Sequence, residues 1–546
     1  MIDSRVQQLF PRKVLLFVSV ILLSLSFLAL TACQSNANKE PANADPAESS
    51  SAISNGSSAI ASGPALEGGT IVLGITQEPD YLDPHRAISA GTKELLFNVY
   101  EGLFKLDPEG IFTPALAKSY EVEDNGKSLI IHLAENVKFH DGSLLNIDDV
   151  LYSLSRAAGK EDIPPMSPAL AALEFKPLDE QSLVISSKEF NPDLLASLSV
   201  GIIKSGSGKG LHKNPCGTGP FKITDYQSQN LLVLEKFPEY HGKAAYLDRV
   251  LVQILADRDA ATIDLRSGQI DIFPYLGPEK IDELSELYNI VGGSANMVQL
   301  WAFNNAQPPL DNPEIRKALL MAIDRKAIID LVMDGHGQAI YSGLSPALHE
   351  YYADDLEGLI PQQVEQAKAI IKKHFPNGLN LSCKVPGNYI IHVDTAEVLH
   401  SQLAAVGVNL EIERVDWLSW LEEVYANRNY STTIIALTYD EYTARCALER
   451  YASTAENNFI NFKNEDYDKL LQTALNSTDP EVRIESYQGL QKILTENAAS
   501  AFLQDPASLT AVRKTLAGYQ QYPAYVQDLS LVFFTDPEAL EQSKSR

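Results

Sequence analysis

Residues 311–335 read DNPEIRKALLMAIDRKAIIDLVMDG, and the bounds of this run set the period of everything around it. Asp311 or Asn312 can cap a helix, Pro313 suits its first turn, and Glu314 places an acid at the positive dipole end. Ile315, Leu319, Ala322 and Ile323 make an apolar stripe at helical spacing, and Gly335 is a natural stop. The run predicts one helix over 313–333. Outward from it, 363–374 and 395–406 carry further helical patterns, while 410–415 alternates as a strand does. Toward the N-terminus, 70–75 (TIVLGI) and 129–133 (LIIHL) read as strands. His140-Asp141-Gly142 reads as a turn. A helix pattern lies around 92–103, and another over 148–158 has Asn146 as its cap. Strands and helices mixed throughout, without an internal repeat, give an α/β class.

The chain has 546 residues, more than one compact core holds, so several domains are expected. Apolar residues are 45 % and charged residues 21 %, the balance of a water-soluble globular protein. Lys and Arg number 44 against 71 Asp and Glu, leaving a net charge of −27. Such a surface repels phosphate backbones and argues against a nucleic-acid partner.

The N-terminus points outward from the cytoplasm. Arg5, Arg12 and Lys13 precede an apolar stretch over 14–30, which ends in Leu30-Thr31-Ala32-Cys33. The stretch is slightly short for a membrane span and carries Ser19, Ser24 and Ser26. A basic start, an apolar middle and small residues before a cut make a signal peptide. The cysteine after the cut resembles the bacterial lipobox. That resemblance implies a signal peptide over 1–32, acylation of Cys33 and a lipid anchor on an extracytoplasmic membrane face. Residues 34–65 are rich in Ser, Ala, Asn, Pro and Gly and read as a flexible tether, with the folded body starting near Leu66.

The search for catalytic or metal chemistry returns little. G-x-S-x-G, H-E-x-x-H and a strand-borne G-x-G-x-x-G are missing. Ser205 to Gly210 (SGSGKG) lacks phosphate-loop spacing and reads as a mobile surface loop. His132 in a strand and His140 in a turn read as structural. With Cys33 set aside, Cys216, Cys383 and Cys446 have no metal-site spacing. A Cys383–Cys446 bridge and three separate thiols both stay open. No cofactor, no metal and no enzymatic activity are expected.

Several blocks, in order, resemble the solute-binding proteins of oligopeptide, dipeptide and nickel importers, solute-binding protein family 5. They are Glu78-Pro79-Asp80-Tyr81-Leu82-Asp83-Pro84, Tyr100-Glu101-Gly102-Leu103, Val137 to Gly142 with Asp148-Asp149-Val150, and Gly217-Thr218-Gly219-Pro220-Phe221. Phe303-Asn304-Asn305 follows, then Ile315-Arg316-Lys317-Ala318 running to Ala322-Ile323-Asp324-Arg325. The resemblance implies two α/β lobes joined by a hinge, with an extra domain on the first lobe. By analogy the first lobe is 66–105, 216–300 and 505–546, the extra domain 106–215, and the second lobe 301–504. It also implies a monomeric receptor that captures a peptide or other small solute between the lobes and delivers it to the membrane subunits of an ABC transporter.

Members that bind peptides pair an acid with the peptide's amine, in a block reading G-W-x-x-D-y-x-x-P. Here that block is Ala436-Leu437-Thr438-Tyr439-Asp440-Glu441-Tyr442-Thr443-Ala444, so Asp440 keeps the acid while the Trp and Pro are replaced. The resemblance thus implies Asp440 as the amine partner, Trp417 as a ligand-lining aromatic and Tyr439 as a stacking or donating neighbour. Trp420, at i+3 from Trp417, would share its helical face. Asp440 could instead pair with Arg445, and either Trp could belong to the core. The altered block leaves other cargo open: a sugar, a metal chelate or a signalling molecule.

Overall fold

A computed structural model of the chain describes residues 63–439 and 442–546. The architecture is α/β, two lobes whose sheets share one long strand, Ser500–Arg513. Residues 500–504 of that strand pair antiparallel with Val298–Phe303 in the second lobe, and residues 507–513 pair antiparallel with Tyr288–Ser294 in the first. Gly337–Ala339 pairs where the two stretches meet, opposite Gln504, Asp505 and Pro506. Pro506 has no N–H to donate, a natural place for a ladder to change partner. The chain crosses between the lobes here and in 295–297, so the hinge is built from these two passes.

Strand direction follows from the register. In the first lobe Thr70–Ile75 lies parallel to Arg249–Ile254 and Ile272–Phe273. Phe273 opposes Ala511, which sets these strands running toward the hinge. In the second lobe Leu379–Pro386 lies parallel to Val408–Val415 and Thr432–Leu437. Leu437 opposes Val298, so these also run toward the hinge. The carboxyl ends of both parallel sets therefore open on the junction of the lobes, the edge at which open α/β sheets bind ligands.

A separate antiparallel sheet, Ala117–Glu123, Ser128–Leu133, Ser182–Ser186 and Glu174–Pro177, has its own apolar core drawn from residues between Leu103 and Ile202. Helix Ile147–Ala157 packs there. Its start is a capping box in which Asn146 accepts from the Asp149 N–H and the Asp149 carboxylate accepts from the Asn146 N–H. Arg156, near the end of that helix and 1 % exposed, reaches out to Asp83 with two bonds of 3.0 and 2.7 Å.

The sequence blocks quoted above turn out to be framework. Gly217 and Gly219 lie against the backbone of Asn98 and Val99, and a Cβ at either would fall 2.0 Å from Val99 O or 2.6 Å from Asn98 O. Glu101 accepts from Thr218 Oγ1, Tyr240 Oη and His241 Nε2 at 3.0, 2.7 and 2.9 Å. His140 accepts the Gly217 N–H at Nδ1 and donates from Nε2 to Gly219 O. Burial pushes it down to about 4, so it is neutral. Arg316 donates to the carbonyls of Ala498, Leu310 and Asn497, and Asn305 to those of Phe303, Ile460 and Ala499.

Strand Thr70–Ile75 is as expected from the sequence; the helix expected around 92–103 is the shorter Ala90–Leu96, and the others keep their place with bounds moved by up to five residues, at Ile147–Ala157, Val364–His374 and Ile390–Ala404. The helix expected over 313–333 is two, Pro313–Met321 and Arg325–Val332. Asp324 ends the first run by capping the second: its side chain accepts the Ala327 N–H at 2.9 Å, while its own N–H is taken by Gln402. The 205–210 run is no loose loop. Ser205 N–H donates to Asp149 at 2.8 Å, Ser207 Oγ to Lys204 O at 2.7 Å, and Gly208 is buried against Arg156. Cys216, Cys383 and Cys446 are thiols, so the Cys383–Cys446 bridge is not formed. No helix among the described residues is long and apolar enough to cross a membrane.

Candidate ligand-binding site

Three second-lobe loops leave the carboxyl ends of the parallel strands, and each carries an aromatic. The loop after Leu379–Pro386 brings Tyr389, the one after Val408–Val415 brings Trp417 and Trp420, and the one after Thr432–Leu437 brings Tyr439 and Tyr442. Trp417 stacks on Trp420 with centroids 5.2 Å apart and planes 4° from parallel, as their i+3 spacing predicts. Tyr389 meets Trp417 edge-on at 5.5 Å. The two tryptophans differ in setting. Trp420 is 2 % exposed and donates from Nε1 to Thr433 Oγ1 at 2.9 Å. Trp417 is half-buried, flanked by Leu418, 74 % exposed; Ile390, beside Tyr389, is 64 % exposed. An apolar side chain left in water beside an aromatic wall is what a ligand surface offers.

His392 braces this wall from below. Its ring lies 5.6 Å from that of Tyr389, and its Nε2 accepts the Ala436 N–H at 3.2 Å. Burial pushes the imidazole down to about 4, so it is neutral, and its Nδ1 lies 3.1 Å from the Gln299 amide nitrogen. Gln299 continues to Thr395 and to Gln504 in the shared strand. A buried polar chain thus runs from the ring behind the aromatic wall to the hinge.

Tyr439 lies deeper than the sequence suggested. It is 7 % exposed, its hydroxyl donates to Gly343 O at 3.2 Å, and Arg450 sits 5.9 Å over its ring. Tyr442 is the member of that loop that meets the other side: its hydroxyl donates to Ala347 O and abuts Gly110, in the turn after strand Phe104–Leu106, whose Phe104 packs in the extra sheet's core. Arg445 is engaged by Glu449 at 2.7 Å. Asp440 and Cys33 lie outside the described residues.

The hinge holds a buried acid. Asp505, 2 % exposed, accepts from Ser294 Oγ and Ser345 Oγ at 2.5 Å each and from the Met297 N–H at 3.2 Å. Burial pushes its carboxyl up to about 6 against those donors. On the first-lobe side, Tyr275 follows strand Ile272–Phe273 and donates to Glu94. Tyr389, Tyr275, Glu94 and Asp505 escaped sequence reasoning. Their common signal is position, since each of the two tyrosines directly follows the carboxyl end of a strand.

Comparison with known proteins gives a consistent result. The profile of the bacterial extracellular solute-binding proteins, family 5 (middle region), matches residues 112–459. The chain is 24 % identical over 506 residues to the oligopeptide-binding protein AppA of Bacillus subtilis, covering 86 % of this chain and 92 % of that one. It is 26 % identical over 459 residues to heme-binding protein A of Haemophilus influenzae, covering 75 % and 82 %. The crystal structure of the ABC transporter substrate-binding protein CtaP from Listeria monocytogenes superposes with a TM-score of 0.77 at 24 % identity, covering 86 % of this chain and all of that one.

Proposed function

The chain belongs to family 5 of the bacterial extracellular solute-binding proteins, and from that premise we propose that it captures peptides between its lobes and delivers them to an ABC importer. The observation that carries this is the aromatic wall of Tyr389 and Trp417 at the carboxyl edge of the second-lobe strands, facing the junction. Trp417 and Tyr389 would stack on the ligand, Trp420 and Tyr439 would back them, and Asp440 would pair with the peptide amine. Acylated Cys33 would hold the monomeric receptor at the outer face of a membrane. The separate apolar core between Leu103 and Ile202 supports an extra domain on the first lobe, for which 106–215 are the proposed borders. Its function is to bind, with no reaction to catalyse.

A second reading has its own support. One relative is a heme-binding protein, and a wide aromatic wall also suits a flat, apolar cargo. Calorimetry separates the two. Free peptides are expected to bind the parent, N-acetylated ones poorly, and Asp440→Asn to lose more than about tenfold for free peptides only, since it strands a desolvated amine. Equal affinity of the parent for free and acetylated peptides would remove the amine role and favour the non-peptide cargo.

A further inference from the structure

The first lobe's edge of the junction carries a carboxyl that the peptide reading has not used. Helix Ala90–Leu96 brings Glu94 to the loop after Ile272–Phe273, where the Tyr275 hydroxyl donates to it. Tyr275 is 42 % exposed and holds a φ of 58°, a backbone state that a bulky residue adopts only when its surroundings enforce it. More tyrosines gather here. Burial, then the Glu94 charge, then Tyr519 and Tyr525 all raise the Tyr275 hydroxyl. Lys93 Nζ lies 5.6 Å from the centroid of the Tyr525 ring, so that ring holds a cation of the chain's own, which a ligand cation would have to replace. Burial pushes the Glu94 carboxyl up to about 7, opposed by the Tyr275 bond alone, and an arriving cation would tip it to the charged form.

We propose that Glu94, Tyr275 and Tyr525 form a subsite for a cationic side chain of the captured peptide, a lysine ammonium or an arginine guanidinium. The carboxylate supplies the counter-charge and the tyrosine rings supply faces that hold a cation. The net charge of −27 favours the approach of cationic ligands to the protein as a whole. This subsite rests on the peptide reading given above.

The test uses alanine-based peptides from tripeptide to nonapeptide, each with one lysine or, at the same position, one norleucine. Norleucine keeps the length and the free amine and removes only the side-chain charge. Calorimetry on the whole protein is expected to show at least about tenfold tighter binding of the lysine form at one position. Glu94→Gln should erase that ratio and leave norleucine peptides within about threefold of the parent, with the melting temperature unchanged or raised because a buried ionisable group is gone. Tyr275→Phe, which keeps the ring and the carboxyl but removes the one bond favouring the carboxylate, should reduce the ratio without erasing it, and complete loss with Glu94 intact would overturn the carboxylate's role. A parent with no lysine preference, or a preference that survives Glu94→Gln, overturns the subsite while the peptide reading stands. Failure of both peptide forms to bind the parent overturns the peptide reading, and the subsite with it.

Discussion

Asp83 and Arg156 meet where the extra sheet's helix joins the first lobe, and both are nearly out of water, at 3 % and 1 % side-chain exposure. Asp162, at 2.7 Å, is the second anion on the same guanidinium. His85 accepts from Arg156 at Nδ1 and donates from Nε2 to Gly201 O; burial and then the Arg156 charge push it down to about 4, so it adds no charge of its own. Removing Asp83 leaves a buried cation with one partner, and Asp83→Ala is expected to cost about 3 kcal/mol. Urea unfolding checks this, and a loss under about 1 kcal/mol would mean that Asp162 suffices. Asp505 gives a pH signature. Its folded value of about 6 stands above its ordinary 3.8. The folded chain therefore holds that proton more tightly than the unfolded one. The stabilisation is full below about 3.8 and is lost as pH rises through about 6. Asp505→Asn is expected to remove about 3 kcal/mol of the stability lost between about pH 4 and pH 7. Glu94, raised from 4.5 to about 7, leaves a residual slope of the same sign and similar size. An unchanged pH profile in the variant would show that the hinge acid does not titrate in this window.

At the scale of elements, the two tryptophans separate binding from stability. Trp420→Ala opens a cavity in a filled core and breaks the bond to Thr433, so about 3–5 kcal/mol of stability should go. Trp417→Ala removes a half-exposed ring. Ligand affinity should fall by more than about tenfold while the melting temperature drops only a few degrees. Similar stability losses for both would place Trp417 in the core. Gly219→Ala should destabilise by about 1–3 kcal/mol or more, because its Cβ would meet Asn98 O at 2.6 Å, a backbone atom that cannot swing away. Local pattern carried the sequence reading well where a single physical cue dominates. Strand Thr70–Ile75 and the Asn146 cap are such cases. It failed at Asp324: the apolar stripe of Ile315, Leu319 and Ile323 would continue at Lys326 and Asp330, both polar, while Ile328 falls on the opposite face. The change of face marks the break in the sequence, and the capping bond from Ala327 to Asp324 accounts for it.

At the scale of the whole molecule, the family blocks proved to be framework: glycines under backbone, a neutral histidine in a turn, an arginine on three carbonyls. They made the fold legible because close backbone approach and buried hydrogen bonds leave few residue choices. The candidate site was legible only in part. Trp417 was expected from the family resemblance and Trp420 from its i+3 spacing, whereas the contacts of Tyr389 with Trp417 and of Tyr275 with Glu94 join segments far apart in the chain. Two lobes sharing one strand, with hinge hydroxyls gathered on Asp505, should close when a ligand adds contacts on both sides. Small-angle scattering should show a smaller radius of gyration at saturating ligand, and an unchanged profile would count against closure. The central claim, that the lobes hold a peptide, is tested most directly by mass spectrometry of small molecules released from the purified protein on denaturation. The account expects peptides, enriched in lysine or arginine over the peptides of the growth medium. Release of heme, a sugar or a metal chelate in stoichiometric amount, without peptide, would contradict it.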